Sequence, residues 1–197
     1  MLPDARGKYV RTKRSRPTTR AALAVCLALV IGGAGLTSAS AASRNNAAPV
    51  YVQEQSNWCW AATSKSTVQF YRGVSATQCQ MVKWGKASSS CDDVTGYFGA
   101  DVSRTLLKAG LSGIGTTTGP MTFAAVRGEI DSGRVVMIRW GWSAGGGHML
   151  VLRGYDTTGS KLSYINPLQS AYQSASHSWM QQYGTHTWTD SRYEILR

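Results

Sequence analysis

The chain has only three histidines and four cysteines among 197 residues, and it lacks any Cys-x-x-Cys, any His-x-x-x-His and any dense carboxylate cluster. Zinc sites draw their ligands from such spacings, so neither a metal centre nor another cofactor is expected. Internal repeats and low-complexity linkers are also missing. Beyond the first 41 residues no run of Lys or Arg occurs and no nucleic-acid-binding motif is found. The formal charge of +11 therefore misleads. Seven of the 21 basic residues and one of the ten acidic ones fall in that leader, which leaves 14 against nine, a net of +5. Nucleic acid is not an expected partner.

The leader reads as a targeting signal. Arg6, Lys8, Arg11, Lys13, Arg14, Arg16 and Arg20 precede an apolar run over 21–36, and Ala39-Ser40-Ala41 supplies small residues for cleavage. A run of about 16 residues is short for a membrane span, which needs about 20. The competing reading is an uncleaved anchor. Residues 1–41 are thus expected to be a signal peptide, residues 42–48 a disordered stub, and residues 49–197 one folded domain. The expected location is extracellular, without stable membrane insertion once the signal is removed. No room is expected for a folded prosegment between the cleavage site and Tyr51.

Three cysteines remain after the leader: Cys59, Cys79 and Cys91. Cys79 and Cys91 flank a short segment and form the natural pair for an exported protein. Closing so short a loop contributes about 3 kcal/mol on the chain-entropy account. Cys59 is then the odd thiol, either buried and inert or used.

Residues 58–71 run without Pro or Gly, with Gly73 beyond them as a C-terminal cap, and predict a helix. Further helices are expected over 78–84, 101–109 and 122–131, the last capped by Thr122. The pattern then changes to β-rich runs at 135–140, 148–155, 161–165 and 191–196. Helices followed by an antiparallel sheet predict an α+β fold with a cleft between the halves.

Cys59 falls at the start of the first predicted helix, where free N–H groups and the helix dipole favour a thiolate and can hold an oxyanion. Gln53, six residues earlier, can lend a side-chain N–H, with Gln55 as its competitor. Among the histidines His148 stands out, because it opens an apolar strand directly after Gly145-Gly146-Gly147. His177 and His186 sit in polar sequence and read as solvated. If the 148–155 and 161–165 strands form a hairpin, Asn166 ends beside His148 and can accept its N–H. An Asx turn before Pro167 explains Asn166 equally well. Asp156 is the alternative partner, at the wrong end of the strand.

In order and surroundings, Gln53, Cys59-Trp60-Ala61, Gly147-His148 and Asn166 resemble the papain-like cysteine peptidases. The Trp58-Cys59-Trp60-Ala61-Ala62 version looks most like a compact bacterial branch that includes an avirulence effector peptidase of a plant pathogen. That resemblance implies a papain-like fold, with an N-terminal helical half packed on an antiparallel sheet and the active-site cleft between them. It implies a thiol protease with a Cys-His-Asn triad: Gln53 as oxyanion donor, Cys59 as nucleophile, His148 as acid/base and Asn166 as orienter. The substrate would be protein or peptide and the enzyme a monomer. Asn166 departs from the Asp often found in the effector branch.

Trp58, Trp142 and Gly147 are expected to line the cleft. Trp140 and Trp142 lie two apart, hence on one face of a strand, which also suits a sugar platform. An acyl transferase or deamidase would share the chemistry as far as the thioester, and a non-catalytic interaction module on the same frame is the reading from a different class.

Overall fold

The computed structural model describes residues 41–197; the expected signal peptide lies almost entirely outside the described residues. Three helices come early: α1 (Cys59–Arg72), α2 (Gln78–Lys86) and α3 (Ala100–Lys108). Gly73 ends α1 in the left-handed conformation, and the Thr77 hydroxyl caps α2 by accepting from the Gln80 N–H. Strand β2 (Gly113–Thr118) intervenes before α4 (Phe123–Asp131), whose N-cap is Thr122 as expected. The remaining elements are β3 (Val136–Trp142), β4 (Gly147–Asp156), β5 (Lys161–Ile165), β6 (Gln173–Ser176), α5 (His177–Gln181), β7 (Gln182–Tyr183) and β8 (His186–Leu196).

The sheet is antiparallel, in the order β2-β8-β3-β4-β5-β6, with β7 paired to the start of β8. Both faces are covered. Met137, Met149, Val151 and Ile195 pack against Trp60, Val68, Met81 and Leu106 of α1, α2 and α3. Val136, Ile138, Leu150 and Leu152 point the other way, into Val126 and Ile130 of α4 and Met180 of α5. This double burial explains why the β3 and β4 sequences read as continuous apolar runs instead of alternating ones. The fold is α+β and papain-like, with the addition that α4 and α5 back the sheet on the far side.

The segment at residues 42–48 corrects the expected disordered stub. Strand β1 (Ser43–Asn45) pairs with β4, placing Asn45 opposite Gly154 and Ser43 opposite Asp156. Strand β3 ends its pairing with β4 at Leu152, so β1 takes up the backbone groups beyond it. Gly154 makes this approach possible: a Cβ there would stand 1.9 Å from Asn45 Oδ1. Asn46 continues the attachment by donating from its side chain to the Ile130 and Arg134 carbonyls.

Candidate active site

Cys59 is the first residue of α1. Its N-cap, Trp58, makes no side-chain cap, and the first turn carries no acid, so the opening N–H groups are left for whatever faces them. The sulfur is half-buried and unbridged, whereas Cys79 and Cys91 form the expected disulfide. The N–H groups of Met149, Trp60 and Cys59 itself are directed at the sulfur. Met149 is the link to the sheet: it sits on β4 immediately after His148, which brings the helix start and the histidine together.

His148 is almost fully buried at the beginning of β4. Its Nε2 is 2.8 Å from Asn166 Oδ1, just past the end of β5. The hairpin of β4 and β5 produces this proximity as the sequence predicted. The same Oδ1 accepts the Leu168 N–H at 3.0 Å, so Asn166 also forms the Asx turn. The two explanations of Asn166 are therefore both true, and the turn settles the chemistry of the other contact. A backbone N–H can only donate, so the shared side-chain atom is the oxygen; Nε2 must carry the proton, and Nδ1 of neutral His148 is the acceptor. Asp156 pairs with Lys161 at the opposite end of the hairpin, which removes it as an orienter.

Cys59, His148, Gln53, Trp142 and Gly147 line one cleft of about 910 Å³. Trp142 stacks on the His148 ring, with 5.6 Å between centroids and 23° between planes. The Gln53 N–H donates to Pro167 O, tying the segment before α1 to the Asn166 turn. The Gln53 amide nitrogen donates to the carbonyls of Gln55 and Ser56, and its Oε1 is buried without a partner among the described residues. Gln55 is exposed and is not part of the cleft wall, so Gln53 is the one of the two that reaches the site.

Burial dominates the electrostatics. It pushes the Cys59 thiol above its ordinary value, more than the surrounding N–H groups and the Arg139 charge pull it down. It pushes His148 below its ordinary value, with Asn166 opposing. The backbone N–H groups at the helix start do pull the thiol down, as the sequence implied, but desolvation is the larger effect. Each shift favours the neutral form of its group.

A family model described as papain-like cysteine protease AvrRpt2 matches residues 42–184. The chain belongs to this family of papain-like cysteine proteases. No curated protein matches it. The matched span starts at Ala42, so β1 is part of the papain-like domain.

The papain-like cleft also holds a wall that the sequence reading missed, formed by residues 95–100. The two tryptophans beside Cys59 hold the segment leading into this wall. Trp58 Nε1 donates to Asp92 O and Trp60 Nε1 to Val94 O, each at 3.0 Å, and the Asn57 N–H donates to Asp93 Oδ1. Gly96 lies flat on Trp60, since a Cβ there would come within 2.3 Å of the indole. The Cys79–Cys91 bond anchors the other end to α2. A glycine just after a predicted disulfide was the only signal for this wall.

Two expectations need correction. Trp58 does not line the cleft: its ring is buried in the core, where it can pack and still satisfy its N–H on Asp92. His186 is not solvated. It is buried, stacked 3.9 Å from Trp140, with Nε2 bonded to Trp179 O. His177 is half-buried and bonds the Met121 carbonyl. Neither borders the cleft. Trp140 joins His186, Trp179 and Trp142 in an aromatic cluster; it is buried, and only Trp142 reaches the cleft. Among the described residues no group of three or more His, Cys, Asp or Glu could hold a metal ion, and no helix is long and apolar enough to cross a membrane.

Proposed function

We propose that the protein is an exported endopeptidase in which Cys59, His148 and Asn166 form the catalytic triad. The observation that carries this reading is the shared oxygen of Asn166, which leaves His148 Nδ1 as a proton acceptor in the cleft that Cys59 lines. Nδ1 takes the Cys59 proton as the sulfur attacks the scissile carbonyl, and the Nε2–H···Oδ1 bond holds the resulting imidazolium. The oxyanion is met by the Cys59 N–H, and by Gln53 Nε2 when it exchanges a neighbouring carbonyl for the charged oxygen. The imidazolium then protonates the leaving amine, leaving a thioester on Cys59. His148 next removes a proton from water, which attacks the thioester and releases the second product with return of the thiol.

The basic leader followed by an apolar run and Ala39-Ser40-Ala41 supports export, and the cleft that holds Cys59 and His148, in a family of cysteine proteases, supports action on protein or peptide. The test is cleavage of an unfolded protein such as casein by the purified chain. Cys59→Ala is expected to abolish cleavage and His148→Ala to lower it by at least about 100-fold, with unchanged circular dichroism. Cleavage retained in Cys59→Ala would overturn the assignment, and transfer to an added amine without hydrolysis would make the enzyme an acyl transferase.

A further inference from the structure

Arg139, named so far only for its charge, also lies in the cleft. It sits on β3 directly opposite Met149, the residue after His148. Its guanidinium bridges two other parts of the fold. Nη2 donates to Gly146 O at 3.0 Å, in the turn before β4, and Nη1 donates to Thr189 Oγ1 at 2.9 Å on β8. Asp190, also on β8 and also in the cleft, stands 3.5 Å from Nη1. The turn needs glycine: Gly145 and Gly146 have φ of 94° and 79°. A Cβ on Gly147 would come within 2.6 Å of the Arg139 guanidinium, so glycine there lets the planar group lie against the backbone one residue before His148. Lysine offers one ammonium and cannot span these partners as a fork does.

We propose that Arg139 is a positioning residue of the reacting pair, clamping the turn of residues 145–147 so that His148 is seated, and presenting its charge to the Cys59 sulfur. The inference rests on the peptidase reading of Cys59 and His148. The charged or titratable side chains lining the cleft with the thiol are His148 from β4, Arg139 from β3, Asp190 from β8 and Tyr97 from the 95–100 wall; the first turn of α1 adds no acid, and Asp93 is held by Asn57. Arg139 opposes the effect of burial on Cys59. Asp190, sharing the same guanidinium, tempers that influence.

The experiment compares wild type, Arg139→Met, Arg139→Lys and Asp190→Asn for the pH dependence of iodoacetamide labelling of Cys59 and for kcat and KM on a neutral peptide. Arg139→Met is expected to move the labelling midpoint upward, because the one positive charge that opposes burial at the sulfur is lost. It is also expected to lower kcat by about tenfold or more with KM within twofold, because a displaced base slows the chemical step. Arg139→Lys restores the midpoint while recovering kcat only in part, and Asp190→Asn moves the midpoint downward. If Arg139→Met does not fold, the Lys and Asn variants decide the matter by those two shifts. A wild-type midpoint and kcat in Arg139→Met overturn the proposal, as does a rise in KM confined to acidic peptides, which would make Arg139 a substrate contact. If wild-type Cys59 labels no faster than a free thiol, the peptidase reading and this inference fall together; a reactive wild type with an unaffected Arg139→Met overturns this inference alone.

Discussion

Replacing Asn166 by alanine tests the arrangement of the site quantitatively. The amide oxygen serves two donors, and they differ in access to water. Leu168 is 54% exposed, so water can replace the bond to its N–H. His148 is 4% exposed, and its Nε2–H would be left unpaired in the buried state. During the reaction that N–H belongs to a cation, and a hydrogen bond to a charged group is worth about 1.5–3 kcal/mol. Loss of that amount lowers kcat/KM by roughly 10- to 150-fold. Asn166→Asp keeps an acceptor for both donors and adds a negative charge, so it is expected to retain activity while raising the pH at which His148 becomes protonated. Steady-state kinetics on a fluorogenic peptide, with thermal melts to confirm folding, measure both variants. A loss below threefold in Asn166→Ala would refute the idea that Asn166 orients and stabilises the imidazolium.

The pH dependence follows from the directions of the two shifts. Burial holds His148 below 6.5 and Cys59 above 9.0, so kcat/KM should plateau between them, with an acid limb below pH 6.5; these limbs belong to the coupled pair, and an acid limb above 7 would contradict the assignment. His148 and His186 are both depressed in the folded state, so the unfolded chain takes up protons first and stability should fall as pH drops below 6.5, read as a lower urea midpoint. Gly96→Ala forces a methyl into Trp60 and should cost about 1–3 kcal/mol of stability in urea melts, with a lower kcat because the cleft wall moves. Replacing Cys79 and Cys91 by serine should cost about 3 kcal/mol for a 12-residue separation, measured the same way.

The placement of the residues proposed to react was legible because its signals are written locally. Cys59 opens a helix free of breakers and stays unpaired once Cys79 and Cys91 bond, and the short hairpin turn placed Asn166 beside His148 by counting along two strands. Residues whose role depends on distant contacts were not legible. Ser43-Arg44-Asn45 has no strand signature, and β1 exists because β4 outruns β3 and Gly154 admits a neighbour. His186 looked polar by its neighbours in sequence, yet Trp140 and Trp179 enclose it. Of the two tryptophans around Cys59, Trp58 was expected to line the cleft. Their rings are both buried, and it is their N–H groups that hold the segment leading to the wall opposite. For the thiol, sequence showed only the smaller effect, because a helix start is visible in one dimension and desolvation is not.

Selective alkylation of Cys59 at pH 6, mapped by mass spectrometry on the protein with its disulfide intact, is the most direct test of the central claim. The account predicts labelling faster than a model thiol at that pH, lost in His148→Ala because Nδ1 no longer takes the proton. Labelling no faster than the model thiol, or unchanged in His148→Ala, would contradict it.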